Sequence, residues 1–111
     1  MIPDGSAMTF APAASRFAAN TYSYTLDYRA ADCVERLARQ GFREFELMMY
    51  PGHLWPAHLD KPKRRQMRDT MEGQGLRVRT LNMPNVDLNI AAATDEMREM
   101  TLGILCGVVD L

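Results

Sequence analysis

The chain has little of what would indicate a disulfide framework, a membrane protein or a nucleic-acid partner. It contains two cysteines, Cys33 and Cys106. Each lies in an apolar helical pattern, so we interpret both as reduced core thiols of a cytoplasmic protein. No stretch approaches the roughly 18 apolar residues that a membrane-spanning helix needs. Thirteen basic residues against fourteen acidic ones leave a net charge of −1, so no global field favours nucleic acid or a membrane surface.

Motifs that would identify a cofactor or a catalytic class are also missing. The sequence has no Gly-x-Gly-x-x-Gly, Walker or Gly-x-Ser-x-Gly motif, and no pair of histidines or carboxylates at zincin spacing. Residues 1–15 are rich in Ala, Pro and small polar residues and lack the basic start and apolar run of a signal peptide. They are predicted to form a flexible extension, and residues 16–111 a single domain.

Three β-prone segments alternate with three helical ones. Strands are predicted over 17–24, 43–50 and 77–82, and the order βαβαβα favours a parallel sheet built from right-handed crossovers. The links that follow the second and third strands exceed the usual ~2–6 residues, whereas the links from helix to strand are short. Long loops at the carboxyl ends of strands mark the functional face of an α/β barrel or doubly wound sheet, so we expect a site there.

The helix starts and stops can also be read from the sequence. Asp27 is predicted to cap the first helix, which Gly41 ends; Pro62 fits the first turn of the second helix, and Thr94 caps the third. The apolar stripe of the third helix continues to the last residue: it comprises Met97, Met100, Ile104, Leu105, Val108 and Leu111. We therefore predict that the chain is truncated within this helix.

The segment 43–56 joins a strand to a loop that carries polar and aromatic groups. Phe45 and Leu47 alternate with Glu46, so the carboxylate is predicted to lie on the opposite face of the strand from its apolar neighbours. Two interpretations of Glu46 stay open. It either pairs with a polar or cationic group inside the fold, or faces a ligand or metal region.

Three further residues are candidates for the same site. His53 follows Gly52 in the loop and is interpreted either as a loop-bracing or solvent-facing histidine, or as a contact for a substrate hydroxyl or phosphate. In the second case Trp55, the only tryptophan, walls the pocket. Asn82 ends the third strand, either as a polar ligand group or in an Asx turn ahead of Pro84.

A basic run extends from Lys61 to Arg79, with seven positive residues against two negative ones. It is predicted to be the solvated outer face of a helix. Binding of nucleic acid is not expected, because that function needs stacking aromatic residues among the basic ones and the aromatic residues lie elsewhere.

Six short stretches carry a resemblance to a known family. They are Asn-Thr-Tyr-Ser-Tyr (20–24), Leu-Ala-Arg-Gln-Gly-Phe (37–42), Phe-Glu-Leu-Met (45–48), Gly-His-Leu-Trp-Pro (52–56), Leu-Asn (81–82) and Asp-Leu-Asn-Ile-Ala (87–91). Their order and spacing make residues 17–111 resemble the N-terminal part of the xylose isomerase-like TIM-barrel proteins, the sugar phosphate isomerases and epimerases.

The resemblance implies a (β/α)₈ barrel of which residues 16–111 form about three βα units, an incomplete barrel. It implies proton transfer next to the carbonyl of a sugar or sugar phosphate, with a divalent cation (Mn, Mg, Co or Zn) whose ligands lie on later strands, outside this chain. Glu46, His53, Trp55 and Asn82 would form the early-strand substrate wall. No residue of this chain is assigned as the catalytic base or as a metal ligand, and the chain alone is expected to be inactive.

Two other functions stay open. One is a metal-dependent hydrolase on the same barrel, such as an endonuclease acting at abasic sites, which would need more histidines than His53 and His58. The other is a non-enzymatic domain that dimerises, as a homo-oligomer, to complete a sheet or barrel through its open edges.

Overall fold

The computed structural model describes residues 16–84 and 87–111, so the predicted extension 1–15 lies outside the described residues. The main elements are β1 (Ala19–Asn20), α1 (Ala30–Arg39), β2 (Glu44–Met48), α2 (Lys61–Gly73), β3 (Arg77–Asn82) and α3 (Asp95–Val109). The strands form one open sheet in the order β1-β2-β3, and both pairs are parallel. The predicted α/β class with parallel strands and intervening helices is confirmed.

The first strand is much shorter than predicted. Only Ala19 and Asn20 are in the sheet, and Tyr22–Tyr24 form a 3₁₀ turn instead of continuing the strand. The side-chain oxygen of Asn20 accepts a hydrogen bond from the Tyr22 N–H at 2.7 Å. This local bond uses the Tyr22 N–H, which would otherwise be available for pairing in a longer strand.

The prediction that Asp27 caps the first helix was wrong. Helix α1 begins after Arg29, whose side chain makes no capping bond. The N–H of Ala30 donates instead to the carbonyl oxygen of His53 at 2.9 Å, so a distant loop supplies the missing acceptor. The predicted helix end is confirmed, since Gly41 has a φ of 104° just after the helix.

The core lies between β2 and the helices. Phe45 and Leu47 of β2, and Met49 directly after it, are at most 2% exposed and form one apolar face, as the alternation predicted. Cys33 and Leu37 of α1 pack in the same cluster. The sheet is therefore covered on this face, and the carboxylates of β2 lie on its other face.

The later elements begin where they were predicted, but α3 ends at Val109 with Asp110 as its C-cap and does not continue to the last residue. Strand β3 matches its predicted range, and Asp60 and Thr94 cap α2 and α3 by accepting bonds from backbone N–H groups. The apolar stripe of α3 is only partly buried, because Met97 and Met100 are 51% and 52% exposed.

One cysteine does not have the predicted environment. Cys106 is exposed, not a core thiol, because it lies on the opposite side of α3 from the buried Thr101. Cys33 is buried as expected, and both thiols are free. None of the helices in residues 16–84 and 87–111 combines the length and the apolar character required to cross a membrane.

Candidate functional site

A carboxylate on the central strand is held by side chains from both neighbouring strands. The strand register aligns Asn20 of β1 and Thr80 of β3 with Glu46 of β2. The Asn20 amide donates to Oε2 of Glu46 at 2.5 Å, and the Thr80 hydroxyl donates to Oε1 at 3.0 Å. The amide of Asn82 approaches Oε1 at 3.5 Å, a long contact. We call Asn20, Glu46, Thr80 and Asn82 the Glu46 site.

The orientation of the Asn20 side chain is determined by the backbone N–H of Tyr22, two residues later. Its Oδ1 accepts the Tyr22 N–H, and this bond leaves Nδ2 directed toward Glu46 and toward the sulfur of Met48 at 3.6 Å. The turn that shortens β1 therefore also presents a donor to the carboxylate.

A β-bulge in β3 explains how two neighbouring residues both reach carboxylates. Phe45 pairs with Val78 and Glu46 pairs with Thr80, so Arg79 is the additional residue of β3. Arg79 forms a bidentate ion pair with Glu44, with N–O distances of 2.8 and 2.5 Å. The bulge thus directs the Arg79 guanidinium to Glu44 and the Thr80 hydroxyl to Glu46.

The hydrogen bonds of the Glu46 site keep its carboxylate charged. The bond from Asn20, followed by that from Thr80, lowers the pKa of Glu46 below its ordinary value; desolvation opposes this effect and Asn82 adds to it. The hydrogen bond from Arg79 lowers the pKa of Glu44 in the same direction. Both groups are therefore anions at neutral pH, and Glu46 is suited to accept hydrogen bonds rather than to transfer protons.

His53 lies next to this site through Thr21 and makes no hydrogen bond to Glu46. It is 5% exposed, with Nδ1 2.5 Å from the carbonyl oxygen of Tyr28 and Nε2 2.9 Å from the hydroxyl of Thr21. Thr21 follows Asn20, and its hydroxyl accepts the N–H of Met48 at 3.0 Å. Nε2 thus ties the loop through Thr21 to the end of β1 and to β2, and Nδ1 ties it to the segment that precedes α1.

Trp55 lies further along the same loop. It precedes the 3₁₀ turn Pro56–His58, and its carbonyl oxygen accepts the N–H of His58 at 3.0 Å. No hydrogen bond or ring contact within residues 16–84 and 87–111 links its side chain to the Glu46 site. Of the four predicted site residues, the structure therefore brings only Glu46 and Asn82 into direct contact. His53 is linked to the site through Thr21, and Trp55 lies in the loop that follows β2.

Two members of the site, Asn20 and Thr80, were missed by sequence reasoning as site residues. Thr80 lies two residues before Asn82, so both side chains are on the same face of the strand. This spacing could have indicated Thr80 as a site residue. No local sequence pattern indicated Asn20 as a site residue, because its pairing with Glu46 depends on the register between two strands.

The residues of the Glu46 site do not fit a divalent cation as they stand. The asparagine side chains turn their NH₂ groups toward the carboxylate, and an NH₂ group is a donor that cannot ligate a metal. In the part of the chain that the structure describes, no three His, Cys, Asp or Glu side chains come together. We therefore assign no metal ion to the four residues of the Glu46 site.

Exposed aromatic rings lie near the carboxyl ends of β1 and β2. Tyr22 follows β1 and is 67% exposed, and Tyr50 follows β2 and is 41% exposed. Both rings thus follow the carboxyl ends of strands, where a site is expected, and are exposed enough to pack against a ligand. Comparisons of the chain with protein families, with curated protein sequences and with solved structures find no match in any of the three.

Proposed function

We propose that this chain forms the substrate-binding wall of a divalent-metal-dependent sugar or sugar phosphate isomerase or epimerase of the xylose isomerase-like TIM-barrel type. One observation carries the proposal. A charged carboxylate, Glu46, is held across three parallel strands by neutral donors. Neutral polar groups around a carboxylate suit a ligand with many hydroxyls, each of which both donates and accepts hydrogen bonds.

The Glu46 site would act by orienting the sugar. A sugar hydroxyl donates to Oε1 of Glu46 in place of the long contact from Asn82, whose amide is then free to donate to a second hydroxyl. The rings of Tyr22 and Tyr50 supply apolar surface for the C–H face of the sugar. His53 contributes by holding Thr21 in place through their hydrogen bond. Trp55 would form a side wall of the substrate pocket.

The proton-transfer step is assigned to other residues. A catalytic base works best with a pKa near the operating pH, whereas the pKa of Glu46 is lowered and so lies further from neutral pH. In this proposal the three βα units belong to an eight-unit barrel in the cytoplasm. The base and the cation's ligands lie outside these 111 residues, and the cation would act as the Lewis acid for the developing enediolate.

Nuclear magnetic resonance tests the binding role directly. The ¹⁵N-labelled chain is titrated with aldopentoses, ketopentoses and their phosphates, and the side-chain NH₂ signals of Asn20 and Asn82 are followed. We expect saturable shifts of both signals, loss of the shifts in Glu46→Gln, and their retention in the control Glu35→Gln on α1. Shifts that persist in Glu46→Gln, or an absence of shifts with every sugar, would overturn the proposal.

A further inference from the structure

An open groove with a volume of about 1280 Å³ lies between α2, β3 and the C-terminal end of α3. Its floor is apolar, with side chains that include Met67, Met71, Leu76 and Leu81. Its lining carries more basic than acidic residues: the exposed Arg65 and Arg68 of α2 are part of the rim, and so is Glu72. Arg68 also pairs with its neighbour Asp69 at 2.9 Å, whereas Arg65 has no ion pair among the described residues. We call this the α2–β3 groove.

The outward side of α3 has the opposite charge and a matching apolar part. Residues at successive spacings of four, three, four and three form one stripe along the helix: Asp95, Glu99, Leu102, Cys106 and Val109. All five are exposed, and Leu102 and Val109 are 52% and 86% exposed. We call them the α3 stripe; Glu96 flanks its acidic end. A heptad-spaced stripe with apolar residues in water is typical of a helix that packs against a partner.

The outer edge of β3, which no other strand of residues 16–84 and 87–111 pairs with, is a poorer candidate for self-association. Arg77 and Arg79 both lie on this six-residue strand. Antiparallel pairing of β3 with a second β3 would bring these like charges toward one another across the new pair, which is destabilising. The basic residues near this edge favour an acidic occupant of the adjacent groove instead.

We propose that the chain self-associates by seating the α3 stripe of one copy in the α2–β3 groove of a second copy. The acidic end of the stripe meets Arg65 and Arg68, and Leu102 and Val109 cover the apolar floor. Asp110 and Leu111, which follow α3, themselves line the groove. The apolar end of the stripe therefore lies next to the groove on each copy. In the proposed assembly each copy contributes its stripe to the other's groove around a two-fold axis, so the assembly closes as a dimer. The proposal does not depend on the proposed enzymatic function.

Charge reversal on each side of the contact gives a specific test by sedimentation velocity over a concentration series. The unmodified chain should dimerise, and added salt should weaken the dimer. Glu96→Lys/Glu99→Lys and Arg65→Glu/Arg68→Glu should each weaken it by more than about tenfold, because like charges then face each other. A 1:1 mixture of the two variants should restore the dimer, since stripe and groove are again opposite in charge at both contacts.

Every substituted residue is exposed, and circular dichroism verifies that the variants fold. Glu35→Lys on α1 is the matched control and should leave the dimer unchanged. A chain that stays monomeric at every concentration overturns the proposal. So does a dimer that both charge reversals leave intact, which would indicate another surface such as the β3 edge. Assemblies that grow beyond a dimer overturn the closed two-fold arrangement.

Discussion

Thr21 and His53, 32 positions apart in the sequence, share a buried hydrogen bond of 2.9 Å between Oγ1 and Nε2. A carbonyl oxygen can only accept, so Nδ1 of His53 carries the proton that it donates to Tyr28. In the neutral ring Nε2 then accepts the Thr21 hydroxyl proton, and Thr21 in turn accepts the N–H of Met48. This chain of bonds ties the end of β1 to β2 and its loop, next to Asn20 and Glu46.

Replacing Thr21 by Val should destabilise the fold by about 1–3 kcal/mol. The change keeps the shape of the side chain but leaves the Met48 N–H and Nε2 of His53 buried without their partner. Urea unfolding followed by circular dichroism measures the effect. Thr70→Val on the exposed side of α2 is the control, expected to change the stability by less than about 0.5 kcal/mol. Equal effects at the two positions would contradict a bracing role for Thr21.

Removing the Asn20 amide should raise the pKa of Glu46 toward its ordinary value. Asn20 is the largest cause of the lowered pKa and Asn82 the smallest, so Asn20→Ala should move the titration of the Glu46 carboxyl carbon more than Asn82→Ala does. Carbon-detected nuclear magnetic resonance follows this titration. The reverse order would contradict the geometry described for the site.

The same lowered pKa predicts a pH dependence of stability. The folded-state pKa of Glu46 lies below its unfolded value, so its contribution is fully present above the unfolded pKa. That contribution is lost as the pH falls through the folded-state value. Glu46→Gln should therefore lose less stability than the unmodified chain between neutral and acidic pH, measured as free energy of unfolding in urea. Parallel losses in the two proteins would count against the prediction.

Two glycines of α3 should respond differently to added side chains. A Cβ at Gly103 meets no heavy atom within 4 Å, so Gly103→Ala should stabilise the chain by about 0.5–1 kcal/mol through helix propensity. A Cβ at Gly107 lies 3.2 Å from Cβ of Pro56, so Gly107→Ala should gain less. Gly107→Val should destabilise by about 1–3 kcal/mol, because it forces α3 away from the Pro56–His58 turn. Thermal unfolding distinguishes the three variants, and equal gains for both alanine variants would refute the contact.

Truncation of the core should show that stability is concentrated at β2. Phe45 is fully buried, and Phe45→Ala should cost about 3–5 kcal/mol. Val78 is also apolar and in the sheet but is 40% exposed on the edge strand, so Val78→Ala should cost less than about 1 kcal/mol. Urea unfolding of both variants provides the comparison, and similar costs would show that β3 is more buried than the structure indicates.

Elements defined by local signals were predicted well. The alternation of Phe45 and Leu47 with Glu46 located β2, and Thr94 marked the start of α3, because side-chain periodicity and capping act within a few residues. Asp27 was misread because the acceptor for the first turn of α1 comes from His53, far along the chain. Strand β1 was overextended because Asn20 captures the Tyr22 N–H, a competition that β-propensity does not include.

By itself, the sequence determined the α/β order, the apolar face of β2 and the presence of a carboxylate on the other face, since each follows from residue spacing. Only the tertiary structure decided the surroundings of that carboxylate. Strand register brought Asn20 to Glu46, and a bulge at Arg79 directed one cation to Glu44 and one hydroxyl to Glu46. Register and bulges are set by how whole strands pack and pair, so residues far apart in the chain become neighbours through interactions that no local pattern specifies.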